Sequence, residues 1–317
     1  MKDKISIVIP CYNEEKALPL LINDIYKLFD TLNEVDFEII MVDNSSTDNT
    51  LNILRDYSKT DNRFHYISFS KNFGKDSSMY AGLKYSTGDY VTIMDADGQD
   101  PSSLIIKMYD ILKNDDYDCV AAYRKNRKGE PFLRSLFAEK FYKLMGKISD
   151  TSIVNGARDF RLMKRKVVLA VLSLDESERF TKGIFAWVGF KTKWLSYENI
   201  ERAVGGTKQP MSVAFAYAIR GIVSFSTAPL FATSVFGFIF CVISILYAFF
   251  VLFKQIVLHE AVPGYPSIIC IMMFGFGMIF FVLGIIGQYI AAMYREIKHR
   301  PKYIVKETDI IKISKGY

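Results

Sequence analysis

Apolar residues in the first half of the chain fall into short runs separated by stretches with helical spacing. Ile5–Ile9, Glu38–Val42, Phe64–Ser68, Tyr90–Met94 and Cys119–Tyr123 are runs rich in β-branched and aromatic residues, and they predict strands. Between them, Glu15–Leu32, Thr47–Tyr57, Lys75–Tyr85 and Pro101–Leu112 repeat apolar positions at helical intervals. This rhythm predicts an α/β domain with a mostly parallel sheet covered on both faces. Ligands of such sheets bind beyond the carboxyl ends of the strands, so chemistry is sought in the loops after Ile9, Val42, Ser68 and Met94.

The second half is patterned differently. From Gly221 to Phe253, and again from Ala261 to Tyr294, there is no Asp, Glu, Lys or Arg. Each stretch exceeds the roughly 20 apolar residues that a helix needs to cross a hydrocarbon core. Two core helices of a soluble protein are the competing reading, though they are rarely this long, adjacent and at one end. The expected division is a cytoplasmic domain over 1–209, a juxtamembrane helix over 210–228, spans over 229–253 and 267–292, an extracytoplasmic loop over 254–266 and a cytoplasmic tail over 293–317. Within 131–148, Phe132, Leu133, Leu136, Phe137, Phe141, Leu144 and Met145 recur at helical spacing among basic residues. Such a helix suits the membrane interface, and an ordinary core-facing helix has the same pattern.

Charge adds direction. The net charge of +6 is modest, but Arg295, Lys298, Arg300 and Lys302 follow the second apolar stretch, while the loop between the stretches offers Lys254 and Glu260. The positive-inside rule therefore places the domain and both termini in the cytoplasm. The basic residues gather beside the apolar stretches, which argues against nucleic acid as a partner. Cys11, Cys119, Cys241 and Cys270 have no clustered spacing and suggest neither disulfides nor a metal knot. The apolar run at the N-terminus is too short for a secretory signal.

The chemistry-bearing segment is Gly88–Pro101, GDYVTIMDADGQDP. In an extended segment, Asp95 and Asp97 point to the same side, where they can meet a divalent cation and a nucleotide. Mg²⁺ or Mn²⁺ prefers such oxygen ligands and offsets charge on a leaving diphosphate. A lone Asp-x-Asp is a weak signal, and its place after the fourth strand strengthens it. Two other loops support it: Pro10–Glu15, PCYNEE, and Val42–Thr50, VDNSSTDNT. In the latter, Asp43 is a candidate for a nucleotide base or ribose, and Ser45 or Ser46 can cap the next helix. In Ser70–Gly82, Lys71 and Lys75 flank Gly74 near a helix start, which suits a phosphate as well as it suits a solvated turn.

These segments resemble the family 2 glycosyltransferases, and specifically the bacterial polyprenyl-phosphate glycosyltransferases of bactoprenol glucosyltransferase type, relatives of dolichyl-phosphate mannose synthases. The family's P-x-Y-N-E-E is similar to Pro10–Glu15, its S-x-N-F-G-K to Ser70–Lys75, and its M-D-A-D-x-Q-D-P to Met94–Pro101. Tyr123–Glu130 resembles its basic loop, Asp159–Met163 its catalytic strand, and Glu178–Phe190 the segment over the acceptor. Ser224–Leu230 and Gly284–Val305 resemble its approach to the membrane and its second span and exit. Two segments depart from the family. It usually has D-D-G-S where this chain has Asp43, Asn44, Ser45 and Ser46, and S-K-W near Thr207–Gln209.

The resemblance implies a GT-A (Rossmann-like) fold and inversion at the anomeric carbon. It implies a metal, Mg²⁺ or Mn²⁺, held chiefly by Asp97 with Asp95 beside it, Asp95 facing nucleotide and sugar, and Gln99 near the sugar or diphosphate. The family's base falls on Asp159, although a phosphomonoester is already largely anionic at neutral pH and needs orientation more than deprotonation. Nucleotide-sugar contacts are expected at Pro10, Tyr12, Glu14, Asp43, Lys71, Lys75, Arg202 and Lys208, and acceptor-phosphate contacts at Arg124, Arg127 and Arg134. The implied activity is transfer of a hexose or N-acetylhexosamine from a UDP-sugar to undecaprenyl phosphate at a bacterial plasma membrane, for cell-envelope glycans. A GDP-mannose-dependent synthase and a non-catalytic membrane scaffold are the alternatives. A processive synthase is disfavoured, since no Q-x-x-R-W motif occurs. Gly237, Gly275, Gly277, Gly284 and Gly287 suit close helix packing, either of the two spans or of a homo-oligomer such as a tetramer.

Overall fold

The computed structural model describes residues 2–124, 156–177, 179–198, 218–219, 221–257 and 264–310. The expected helix over 131–148, most of the juxtamembrane helix, and Arg127, Arg134, Arg202 and Lys208 lie outside the described residues. Strands β1 (Lys4–Cys11), β2 (Asp36–Asp43), β3 (Phe64–Phe69) and β4 (Tyr90–Ile93) alternate with helices α1 (Leu18–Thr31), α2 (Thr50–Thr60), α3 (Lys75–Tyr85) and α4 (Leu104–Asn114). Then follow β5 (Cys119–Arg124), β6 (Ala157–Lys164), α5 (Arg165–Ser173), α6 (Thr181–Trp187) and β7 (Thr192–Tyr197). Two long helices, α7 (Ala228–Val257) and α8 (Tyr265–Ile297), precede a last strand, β8 (Val305–Thr308).

All eight strands form one sheet in the order β7-β5-β6-β4-β1-β2-β3-β8. Pairs β1–β2, β1–β4, β2–β3 and β5–β7 are parallel, as the strand–helix rhythm predicts. The sheet is nevertheless mixed, because β6 runs antiparallel between β4 and β5, and β8 runs antiparallel beside β3. The central strand shows why these runs read as continuously apolar. Ile5, Ile7 and Ile9 of β1 pack towards α1 and α4, whereas Val8 packs on the opposite face with Met79 and Leu83 of α3. Both faces are buried, so both sets of alternating positions carry hydrophobic residues, with buried Ser6 an exception that donates to Glu38 Oε2 at 2.6 Å.

Helices α7 and α8 contain the stretches Ala228–Val251 and Ile271–Ile297, with mean hydropathies of 2.5 and 2.1, and their apolar side chains are largely exposed. They are long and apolar enough to cross a membrane. Among the described residues, the rings of Phe240 and Phe274 meet across them at 6.1 Å. Of the two roles expected for the glycines, pairing of the two helices is not what they serve, since open space lies around Gly237, Gly275, Gly277, Gly284 and Gly287 within the chain. The segment expected as a cytoplasmic tail carries a strand that spacing did not predict. It returns to the domain and completes the sheet as β8.

One glycine is dictated by packing. A Cβ on Gly82 of α3 would stand 2.1 Å from Val8 Cγ1 of β1. Overpacking of this kind costs about 1–3 kcal/mol, so Gly82→Ala should lower the unfolding midpoint in detergent. Adding Val8→Ala should recover part of the loss, and no loss in the single variant would refute the close approach.

Candidate active site

The carboxyl ends of β1, β2, β3 and β4 converge on loops that brace one another. After β1, Asn13 takes a left-handed backbone (φ 56°), its N–H donates to Ser46 Oγ at 3.0 Å, and its Oδ1 accepts from the Thr47 N–H at 2.8 Å. The Glu14 N–H donates to Thr50 Oγ1 at 2.8 Å, and Glu15 Oε2 accepts from the Asn49 N–H at 3.0 Å. Pro10 is the penultimate residue of β1, and Tyr12 is exposed beside it. Asp43, the nucleotide candidate, is buried at the end of β2. Its oxygens accept from the Ser46 N–H at 3.0 Å and from Ser68 Oγ at 2.8 Å, so it ties β2 to β3.

The departures from D-D-G-S acquire a physical reading. Asn44 Nδ2 donates to Asn72 Oδ1 at 2.9 Å while its Oδ1 accepts from the Phe73 N–H at 2.8 Å. An aspartate could accept but not donate there. Asn72 Oδ1 also accepts from the Gly74 N–H at 2.9 Å. Ser45 keeps the positive φ of 61° that a glycine adopts without strain. Asn44 thus holds the loop that leads into Lys75 at the start of α3. Lys71 points elsewhere, with its ammonium 5.0 Å from the Phe73 ring centroid.

The acidic turn differs from its expected form. Strand β4 stops at Ile93, so Asp95 and Asp97 do not share one face of an extended segment. Gly98 at φ 73° bends the chain, the Asp95 N–H donates to Asp100 Oδ2 at 3.0 Å, and the Gln99 N–H donates to Asp97 Oδ1 at 3.1 Å. Asp95 and Asp97 therefore have different surroundings. Asp95 Oδ1 receives Lys75 Nζ at 2.5 Å, and its Oδ2 receives Arg158 Nη2 at 3.2 Å. The same Lys75 ammonium lies 2.9 Å from Oδ2 of Asp159 on β6. Arg124, at the end of β5, donates to Gln99 Oε1 at 3.0 Å and to the Tyr197 hydroxyl at 3.4 Å, and that hydroxyl donates to Asp100 Oδ1 at 3.1 Å.

Asp95, Gln99, Asp159, Lys75 and Arg124 are thus brought together from β4, β5, β6 and α3, with Asp97 two residues beyond Asp95. Arg158, Asp100 and Tyr197 belong to the same network and were missed. Asp100 was visible as a further acid in DADGQDP, whereas nothing in the sequence marked Arg158 or Tyr197. Burial alone would raise the Asp159 carboxyl. The Lys75 ammonium, helped by Lys182 and Arg161, outweighs it and holds Asp159 far below the ordinary carboxylate range. Burial and the neighbouring Asp95 charge push Asp100 up to about 6. Lys75 is held charged well above the usual lysine range, because Asp95 and Asp159 outweigh its desolvation.

Among the described residues no three His, Cys, Asp or Glu side chains cluster as a protein-only metal cage. The residues do fit a divalent cation that arrives with a diphosphate. Mg²⁺ commonly uses one or two carboxylates plus substrate phosphates, and Asp97 offers a hard oxygen at the turn. Asp95 is less available, since both its oxygens already meet cations.

The family model described as Glycosyl transferase family 2 matches residues 6–172. CsbB of Bacillus subtilis (strain 168), a protein assigned provisionally to the glycosyltransferases, is 40% identical over 309 residues, covering 96% of this chain and 92% of that protein. The bactoprenol glucosyl transferase of Shigella phage SfV is 37% identical over 303 residues, covering 96% of this chain and 98% of that protein. Glucosyl-3-phosphoglycerate synthase from Mycobacterium tuberculosis, solved with Mn²⁺, UDP and glucosyl-3-phosphoglycerate, is 19% identical with a TM-score of 0.49, over 70% of this chain and 78% of that one.

The two displaced acids have opposite linkage to folding. The raised Asp100 contributes stability that is full below the ordinary 3.8 and is lost as pH rises through about 6. The lowered Asp159 contributes stability present above 3.8 and lost only as pH falls below it. Unfolding midpoints should carry a decline between pH 3.8 and about 6 that levels off above it, and that Asp100→Asn removes and Asp159→Asn retains. A decline that survives Asp100→Asn would assign the titration to another group.

Proposed function

Because the chain belongs to glycosyl transferase family 2, and is a glycosyltransferase homologous to bactoprenol glucosyl transferases, we propose that it moves a hexose or N-acetylhexosamine from a UDP-sugar to polyprenyl phosphate, with inversion at the anomeric carbon. One observation carries this reading. A single chain joins the Lys75–Asp95–Asp159 cluster to two helices long and apolar enough to cross a membrane, and it does so along nearly the whole length of a bactoprenol glucosyl transferase. The basic residues after α8 support a cytoplasmic domain and cytoplasmic termini at a bacterial plasma membrane.

In the reaction, an acceptor phosphate oxygen forms a bond to the anomeric carbon, and the bond from that carbon to the donor diphosphate breaks, releasing UDP. The acceptor is already anionic at neutral pH, so no proton has to be removed before attack. A carboxylate held as far down as Asp159 is a poor proton acceptor, since efficient general bases have pKa values near the working pH. Asp159 instead fixes the Lys75 ammonium, and the two orient the reactants between them. Arg124 supplies a planar fork for phosphate beside Gln99. Mg²⁺ or Mn²⁺, held chiefly by Asp97 together with the donor's diphosphate oxygens, would offset charge on the departing diphosphate.

A transfer assay with undecaprenyl phosphate, Mn²⁺ and a panel of labelled nucleotide-sugars tests this reading. Label should enter the lipid phase from one donor. Asp97→Ala should lower kcat by about 10²–10³-fold, the cost of removing one electrostatic stabiliser of the transition state. Asp159→Asn should cost less and leave kcat without a new ionisation between about pH 6 and 8. Absence of lipid label from every donor in folded, metal-supplied protein would overturn the assignment.

A further inference from the structure

The two long helices are bracketed in the chain by the two edge strands of the sheet. The chain leaves the sheet from β7, one edge strand, on its way to α7, and it returns from α8 to β8, the other edge strand. The active-site strands β1, β4 and β6 lie between them.

The return attachment is short and pinned along its length. Seven residues separate Ile297 of α8 from Val305 of β8, a reach of at most about 25 Å. Before the turn, Glu296 Oε2 accepts from the Ser177 N–H at 2.9 Å. After it, Lys302 pairs with Asp175 and sits 5.1 Å from the Tyr80 ring centroid. Tyr303 stacks on Phe69 at 5.0 Å, and Phe69 meets Phe73 at 5.8 Å, within the loop that leads to Lys75. The Ser70 N–H donates to Ile304 O at 3.0 Å, Arg55 makes a two-nitrogen contact with Glu307, and Asp309 accepts from the Tyr66 N–H at 2.6 Å. Beside Ser177, Phe225 packs against Phe180 at 5.9 Å, and Ser226 O accepts from the Tyr289 hydroxyl of α8 at 2.7 Å.

A body joined by a slack link can swivel over a surface, and a body joined by a short, pinned one cannot. We propose that β8, with Tyr303, is a positioning element for transfer to a membrane-held acceptor. It fixes the tilt and height of the cleft, so that the acceptor phosphate meets the Lys75–Asp159 pair. This rests on the polyprenyl-phosphate reading above.

The test uses the full chain in lipid nanodiscs and lengthens only the return attachment. Gly-Ser or Gly-Ser-Gly-Ser is inserted between the exposed Arg300 and Pro301, and the same insertion after Ile310 serves as control. Two activities are compared: transfer to bilayer-embedded undecaprenyl phosphate, and transfer to a short-chain, water-soluble prenyl phosphate, which also reports that the domain is folded. Misplacement of about 1 Å can cost about 10²-fold in rate, so bilayer transfer should fall towards that value with insert length, while soluble transfer stays within about twofold. Independently of activity, a donor fluorophore on an unnatural side chain at exposed position 59 reports energy transfer to dyes on the lipid headgroups. Longer inserts should lower and broaden that transfer. Unchanged energy transfer, or equal loss of both activities, would overturn the proposal. An unmodified chain that glycosylates neither acceptor would sink the polyprenyl-phosphate reading instead, and the fluorescence would then decide the attachment alone.

Discussion

Two ionised carboxylates from different strands repel in a secluded pocket unless a cation lies between them, and here Lys75 is that cation. Asp95 follows β4 and Asp159 sits on β6, and both meet the same ammonium, with Arg158 balancing the far side of Asp95. Removing one partner from such a group leaves the others uncompensated. The surrounding architecture serves this contact. The antiparallel entry of β6 next to β4 brings Asp159 to Asp95, and the Asn44–Asn72 bridge sets the loop from which Lys75 projects.

Much of this was legible in the chain. The strands from β1 to β5 and the helices from α1 to α4 follow from hydrophobic spacing, because their cores are local in pattern even where their contacts are not. Asp95 and Asp97 stood out as acids after an apolar strand, whereas Asp159 was marked only by the resemblance of Asp159–Met163 to the family's catalytic strand. The partners were harder to see, since an arginine such as Arg158 or a tyrosine such as Tyr197 looks like any surface residue until the strands are aligned. Strand β8 was illegible for a similar reason. Four residues, VKET, carry little periodicity, and their partner β3 is far away in sequence.

The altered D-D-G-S segment shows that a departure from a family pattern can be compensated rather than lost. Asn44 gives up a charge and gains a donor, which it uses on Asn72. Ser45 keeps the left-handed backbone without glycine's freedom, at a strain of about 1 kcal/mol. The loop geometry survives with different chemistry, and the active-site lysine stays in reach of both acids.

The late return of β8 also orders biosynthesis. Arg55 and Glu307, which clasp β8 to the domain, are 252 residues apart in the chain, and both long apolar helices are made in between. While the ribosome is still producing those helices, β3 is an open sheet edge, with unpaired amides that invite association with other chains. The nascent domain must therefore wait, nearly complete and adhesive at one side, until both long helices have been made and the last strand follows them. A fragment cut before α7 would retain that open edge for good.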